Sequence, residues 1–326
     1  MAPSRLLRRC AVLGCAAALL YAAYLAVRFH HVENRLYLWL DGSGRQAALW
    51  NREPAGASLD LAAYRAGIDG KAVAGVSRNL SGLTYDTDRG RLLAVVNRPP
   101  TLIELDGEGT PLASYPLRNV SDVEGVAYLG DGEVAIVEEG RGTVRTFALP
   151  ARPQPIDAAA GRRIDVLRDG GNHGLEGVGY DRGNDLLYMV RERKPRALYR
   201  IAGLKTGKDA QPRIEDLSAW IDRSVFGTDL SSVDVDPETG HLLLLSDESQ
   251  LVMEMDPTGL PLGLRHLDGV PQAEGVAVDP GGRLFVVSEP DLFYRFDPAP
   301  PQAAGGCPGV IRVAAHPRLG PGRPGC

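Results

Sequence analysis

One short phrase occurs five times in this chain and limits what it can fold into. The copies are Leu80-Ser-Gly-Leu-Thr-Tyr-Asp86, Val123-Glu-Gly-Val-Ala-Tyr128, Leu175-Glu-Gly-Val-Gly-Tyr-Asp181, Leu230-Ser-Ser-Val-Asp-Val-Asp236 and Ala273-Glu-Gly-Val-Ala-Val-Asp279. Their third positions, Gly82, Gly125, Gly177, Ser232 and Gly275, recur at intervals of 43, 52, 55 and 43 residues. Each copy leads through a turn into a second apolar run that ends in a polar residue: Asn97, Glu139, Glu192, Asp247 and Glu289. A repeat of this length is one supersecondary unit that buries its apolar face only against neighbouring units.

The units read as strands. In the fifth copy Glu274, Val276 and Val278 alternate with Gly275, Ala277 and Asp279, the period of a strand. The connections, among them Asp86-Thr-Asp-Arg-Gly90 and Asp236-Pro-Glu-Thr-Gly240, carry hairpin turn chemistry. Third strands follow, such as Thr101–Leu105 and Leu292–Phe296, with fainter fourth strands at Pro111–Tyr115 and Leu262–His266. Three to four strands in about 45 residues is a propeller blade. The 39 glycines and 24 prolines suit a fold rich in turns. The expectation is an all-β, five-bladed β-propeller over residues 57–298, with a sixth blade if segments 30–75 and 299–316 build one. A solenoid is the alternative, although its repeats are normally shorter and more regular. Leu59–Arg65 reads as a strand that pairs with the last unit, and Ile214–Asp222 as a small helix. The Pro/Gly-rich tail, 299–326, holds a run at 310–315 that would also serve to close the ring.

Ahead of the repeats, residues 1–9 carry Arg5, Arg8 and Arg9 and read as a cytoplasmic basic segment. No charged residue occurs from Cys10 to Val27, and 10–29 is expected to be a single transmembrane anchor, with 30–56 a spacer. A cleaved signal with its small-x-small site at Ala22 or Ala23, or lipidation at Cys15, are the rival readings. All three put the repeats outside the cytoplasm. Cys307 and Cys326 either pair in that compartment or stay free. A net charge of −5 gives no reason to expect a nucleic-acid partner.

Closing the ring would gather the repeated polar residues around one axis. Glu124, Glu176 and Glu274 share one phase with Ser81 and Ser231, and Asn97, Glu139, Glu192, Asp247 and Glu289 share another. Carboxylates crowded into one site disfavour each other's ionisation unless a cation compensates. A hard divalent ion with oxygen ligands, Ca²⁺ before Mg²⁺, fits that set, and the lack of cysteine nearby argues against zinc. The competing reading is structural: carboxylates accepting backbone N–H groups of the next blade, with glycine permitting close strand approach. His173 and Glu176 are candidates for proton transfer at the channel mouth, His173 equally a turn residue. Asp86-x-Asp88-x-Gly90 has the start of a calcium loop but Asn97 where the loop's final Glu belongs, and reads as a hairpin turn. No Gly-x-Ser-x-Gly, P-loop, dinucleotide fingerprint or Cys-x-x-Cys occurs.

The wording Asn79-Leu-Ser-Gly-Leu-Thr-Tyr85, Asp122-Val-Glu-Gly-Val-Ala-Tyr128 and Asn172-His-Gly-Leu-Glu-Gly-Val178 resembles the SdiA-regulated domain family, the YjiK-like proteins of bacterial envelopes. The resemblance spans roughly residues 57–298. It implies a membrane-anchored five-bladed propeller with a calcium site, and no established activity. Glu124, Glu176 and Glu274 match its Glu-Gly motif, while Ser231-Ser232 departs from it, so five equivalent ligands are not expected. The expected protein is a single-pass bacterial inner-membrane protein whose periplasmic propeller binds Ca²⁺ and recognises a small molecule or a protein. A metal-dependent hydrolase of lactones, esters or phosphoesters at the same site is the alternative.

Overall fold

A computed structural model describes residues 5–30, 36, 58–167, 174–193, 195–207, 212–224 and 227–299. Strand β1 (Arg65–Ala72) precedes the first repeat. The repeats then supply β2 (Leu80–Asp86), β3 (Arg91–Val96), β4 (Thr101–Leu105) and β5 (Pro111–Arg118), followed by β6 (Val123–Gly130), β7 (Glu133–Glu138), β8 (Thr143–Ala148), β9 (Ile156–Asp157) and β10 (Arg162–Asp165). The third repeat forms β11 (Leu175–Asp181), β12 (Leu186–Arg191), β13 (Ala197–Ala202) and β14 (Ile214–Asp216). The last two form β15 (Ser232–Val235), β16 (Leu242–Ser246), β17 (Leu251–Met255) and β18 (Pro261–His266), then β19 (Ala273–Val278), β20 (Leu284–Ser288) and β21 (Leu292–Asp297).

These strands make five sheets, each meandering outward from one copy of the repeated phrase. The phrase strands β2, β6, β11, β15 and β19 contact one another in sequence order, and β19 returns to β2. The chain is therefore an all-β, five-bladed propeller, not a solenoid. The second strand of each blade is apolar on both faces, as in Leu92–Val96 and Leu242–Leu245, because a neighbouring blade covers each side. Five core clusters lie one in each gap between blades; the closing one joins Leu83, Leu92 and Leu105 of the first blade to Phe285, Val287 and Phe293 of the fifth. Each such side chain contributes roughly 1.5–3 kcal/mol through burial.

The ring closes with an N-terminal strand. β1 pairs antiparallel with β21, Arg65 opposite Asp297 and Ala72 opposite Leu292. The closing strand thus lies at 65–72 rather than at 59–65, where Leu61–Ala63 forms a 3₁₀ turn. Short-range alternation in 59–65 was misleading because that segment is held by polar contacts instead. Glu254, fully buried, accepts the Leu59 N–H at 3.0 Å and the Ser58 hydroxyl at 2.7 Å, and lies 2.7 Å from His241 Nδ1. Arg265 donates to the Tyr64 carbonyl at 2.6 Å and covers the Phe296 ring. No sixth blade forms among the described residues, since 65–72 completes the fifth. The run at 310–315 lies outside the described residues, as do Cys307 and Cys326.

The helix expected over Ile214–Asp222 divides in two. Ile214–Asp216 is the outer strand of the third blade, and a short helix occupies Ser218–Ser224. The edge of β13 needed a hydrogen-bonding partner there, and that outweighed helical propensity. At the N-terminus α1 spans Arg5–His30. Among the described residues no helix is long and apolar enough to cross a membrane. The described apolar side chains of α1 fall within 12–27 and are mostly exposed, Leu19 at 71% and Leu20 at 73% among them.

Candidate metal centre

The glutamates reach the axis through a backbone irregularity. In β6, β11 and β19 the pairing register slips between Val123 and Gly125, Leu175 and Gly177, and Ala273 and Gly275. The residue skipped in each case is Glu124, Glu176 or Glu274. A bulge of this kind turns its extra side chain away from the regular alternation, here toward the channel. The glycine that follows is required by crowding. A Cβ on Gly125 would lie 2.7 Å from the Glu176 carbonyl oxygen, and one on Gly177 would lie 2.6 Å from Ser232 Cα.

Asn97, Glu124, Glu139, Glu176, Glu192, Asp247, Glu274 and Glu289 all line a single cavity of about 600 Å³. Residues distributed over nearly two hundred positions of sequence thus share one space. His173 lies outside the described residues. Ser231 lines the cavity at the place where three other blades carry Glu, and Ser81, its counterpart in the first blade, hydrogen-bonds Glu124 at 2.8 Å.

Part of this set has structural work, linking neighbouring blades at four of the five junctions. Asn97 Nδ2 donates to Glu124. Glu139 accepts the Gly174 N–H at 3.3 Å, Asp247 accepts the Ala273 N–H at 3.0 Å, and Glu289 accepts from Asn79 Nδ2 at 3.3 Å. Glu176 and Glu274 differ: neither makes a hydrogen bond to any described side chain or backbone group. Burial drives both well above the ordinary carboxylate pKa, reinforced by Glu139 and Glu124 at Glu176 and by Asp247 and Glu289 at Glu274. Glu124 is pushed up to about 7 by burial, with Glu139, Asp122 and Glu289 adding to the rise and the Ser81 hydroxyl opposing it. Asp229 is also raised to about 7 by burial, although it accepts the Asp247 and Glu248 N–H groups.

Three buried polar atoms of the cavity lining have no partner among the described residues: Arg193 Nε and two oxygens, Asn97 Oδ1 and Ser231 Oγ, the latter on residues 6% and 5% exposed. An orphaned buried acceptor costs about 1–3 kcal/mol. Glu124 and Glu139 of the lining and the neighbouring Asp122 each offer a carboxylate oxygen, and these lie within 4.8 Å of one another. The described lining offers oxygen donors, with neither thiol nor imidazole, so the set fits a hard cation. Arg193 is the cationic side chain of the described lining, and its guanidinium is held by Glu192 and Glu248.

Sequence reading missed Asp122, Asp229, Arg193 and Glu248. A signal for the first two existed. The position just before each phrase reads Asn79, Asp122, Gly174, Asp229 and Gln272, a third phase that is polar in four of the five blades. Asn79, Asp122 and Gln272 hold positive φ of 58°, 59° and 40°, which turns the chain into the inner strand.

The chain resembles solved structures at low identity. The crystal structure of a nidogen/laminin complex matches with 12% identity and a TM-score of 0.44, covering 65% of this chain and 73% of that chain. A luciferin-regenerating enzyme matches with 12% identity and a TM-score of 0.47, covering 69% of this chain and 92% of that chain. Neither likeness bears on function. A family model described as SdiA-regulated matches residues 56–297, the whole propeller and most of the chain. The protein belongs to the SdiA-regulated family.

Proposed function

We propose that the acidic end of the propeller axis is a calcium centre, and that the cation organises a recognition site for a small molecule or a protein. The observation that carries this reading is the pair of orphaned buried oxygens, Asn97 Oδ1 and Ser231 Oγ, in a cavity that also holds Glu176 and Glu274 without hydrogen-bond partners among the described residues. Such groups are costly in an empty site and favourable around a cation. Asp122, Glu124 and Glu139, with Asn97 Oδ1 beside Glu124, are the ligands expected from the protein. Ca²⁺ accepts six to eight oxygens in flexible geometry, which suits carboxylates drawn from several blades better than the rigid octahedron of Mg²⁺ does. When bound, the ion would supply positive charge that restores ionisation to the surrounding carboxylates and polarises an oxygen of a ligand.

Calorimetric titration of the EDTA-treated full chain with Ca²⁺ tests this. Saturable binding with a raised melting temperature is expected, both lost in Asn97→Leu. No heat and no thermal shift would end the proposal. A hydrolase of lactones, esters or phosphoesters is the second reading, and Glu176 favours it: a carboxyl whose pKa is driven well above the ordinary range by burial and like-charged neighbours is suited to proton transfer. Turnover of such substrates that is abolished by EDTA and by Glu176→Gln would establish the enzyme. Calcium-dependent stabilisation without turnover would establish the binding protein.

Placement in the inner membrane with a periplasmic propeller rests on the uncharged run Cys10–Val27 behind three arginines and on the exposed apolar side chains of α1. Protease digestion of spheroplasts should degrade the propeller and spare it in intact cells. Protection in spheroplasts would place it in the cytoplasm instead.

A further inference from the structure

The two ends of the propeller axis are separate cavities rather than one pore. Opposite the acidic cavity lies a second one of about 520 Å³, and no residue lines both. Between them runs the belt where Gly82, Gly125, Gly177 and Ser232 bring neighbouring inner strands into backbone contact. All five blades contribute to the second cavity. The sixth position of the repeated phrase supplies its walls: Tyr85, Tyr128 and Tyr180 from the first three blades, Val235 and Val278 from the others. The hydroxyls of Tyr128 and Tyr180 are tied to the rim, donating to Asp88 at 2.6 Å and to Asp185 at 2.7 Å.

The fifth position of the phrase carries one charge. Thr84, Ala127, Gly179 and Ala277 occupy it in four blades, and Asp234 in the fourth repeat. Asp234 lines this cavity, is 5% exposed, and accepts the N–H of Val278 in the next blade at 3.0 Å. Thr84 performs the same task elsewhere in the ring, its hydroxyl oxygen accepting the Tyr128 N–H at 3.3 Å. A hydroxyl therefore satisfies the structural role, and three blades manage with no polar side chain there. The negative charge at 234 is surplus to the fold. The charged neighbour that acts on it, Asp236, has the same sign. Arg182, at the cavity rim, is held by Asp88 at 2.6 Å and Asp131 at 3.2 Å.

A buried carboxylate with no cationic side chain beside it among the described residues, opening on aromatic walls, matches an organic cation. The carboxylate requires a counter-ion, and the negative face of each ring attracts positive charge while covering alkyl groups. Of the other carboxylates lining this cavity, Asp181 accepts from Asn184, and Asp236 accepts from the Glu238 N–H and the Thr239 hydroxyl, which leaves a hard metal ion short of the oxygens it needs. We propose that the tyrosine-lined end of the axis binds a small organic ammonium ion, with Asp234 as counter-ion and Tyr85, Tyr128 and Tyr180 as walls. This site is independent of the calcium centre and would stand if that centre bound nothing.

The test is calorimetric titration of the full chain with tetramethylammonium, with choline, and with the uncharged isostere of choline in which carbon replaces nitrogen. Saturable binding of both ammonium ions is expected, about tenfold or more tighter than the isostere. Asp234→Thr, which keeps the acceptor for Val278, should weaken choline by a similar factor while its melting temperature holds. Asp234→Asn serves the same purpose if the threonine variant fails to fold. Equal binding of the isostere, unchanged choline affinity in the substituted proteins, or no heat from any probe would each overturn the proposal.

Discussion

Replacing Glu124 by Gln should make the cation-free protein more stable, not less. Its folded-state pKa of about 7 lies above the ordinary 4.5 because burial and neighbouring carboxylates disfavour the charge. A carboxyl raised in this way favours the folded state fully below the unfolded pKa, and that contribution is lost as pH rises through the folded one. At about 1.4 kcal/mol per pH unit, the ionised group at pH 8 costs about 3 kcal/mol relative to a neutral one. Glutamine is neutral throughout, keeps one oxygen acceptor, and lets the Ser81 hydroxyl turn to meet the amide. In urea titrations with EDTA, Glu124→Gln should therefore exceed the wild type by up to about 3 kcal/mol at pH 8, and by close to nothing near pH 4.5. Calcium should reverse the order. At a hundredfold excess over Kd the wild type gains about 2.7 kcal/mol, and the variant gains far less. A variant that is destabilised at pH 8 without calcium, or stabilised by calcium as much as the parent, would refute the reasoning.

Other substitutions probe the scaffold. Gly125→Ala forces a methyl to 2.7 Å from the Glu176 carbonyl and 3.1 Å from Gly177 Cα, so it should cost about 1–3 kcal/mol in chemical denaturation. Ser232→Gly, at the equivalent position of the fourth blade, should change stability by less than about 1 kcal/mol. Glu254→Leu strands the Leu59 N–H, the Ser58 hydroxyl and His241, and a loss of about 3 kcal/mol or more is expected from the thermal midpoint. Truncation that removes β1 leaves the edge of β21 unpaired and separates the ends of the ring, so cooperative unfolding should disappear from the calorimetric trace.

Much of this protein is local, and for that reason it could be read directly from the chain. Strand alternation, hairpin turns and the double-sided apolar runs depend on near neighbours, so the blades and the two polar phases were legible in the repeated phrase. Repetition also carried part of the tertiary structure: identical units placed at equal angles about an axis must send equivalent residues to equivalent places. That logic brought eight expected residues into one cavity. It failed where the chain departs from the repeat. The closing strand was displaced to 65–72 because its position answers to the edge of β21, more than two hundred residues away. The strand at Ile214–Asp216 likewise answers to β13. Which carboxylates were consumed by bonds to the next blade, and which were left bare, depended on ångström-scale separations between blades. Asp247 and Glu274 look alike in sequence; only the former has an N–H within reach. The glycine belt that divides the axis in two was visible as a motif, but its effect, a pair of cavities with unlike chemistry, came from backbone approach across the closed ring.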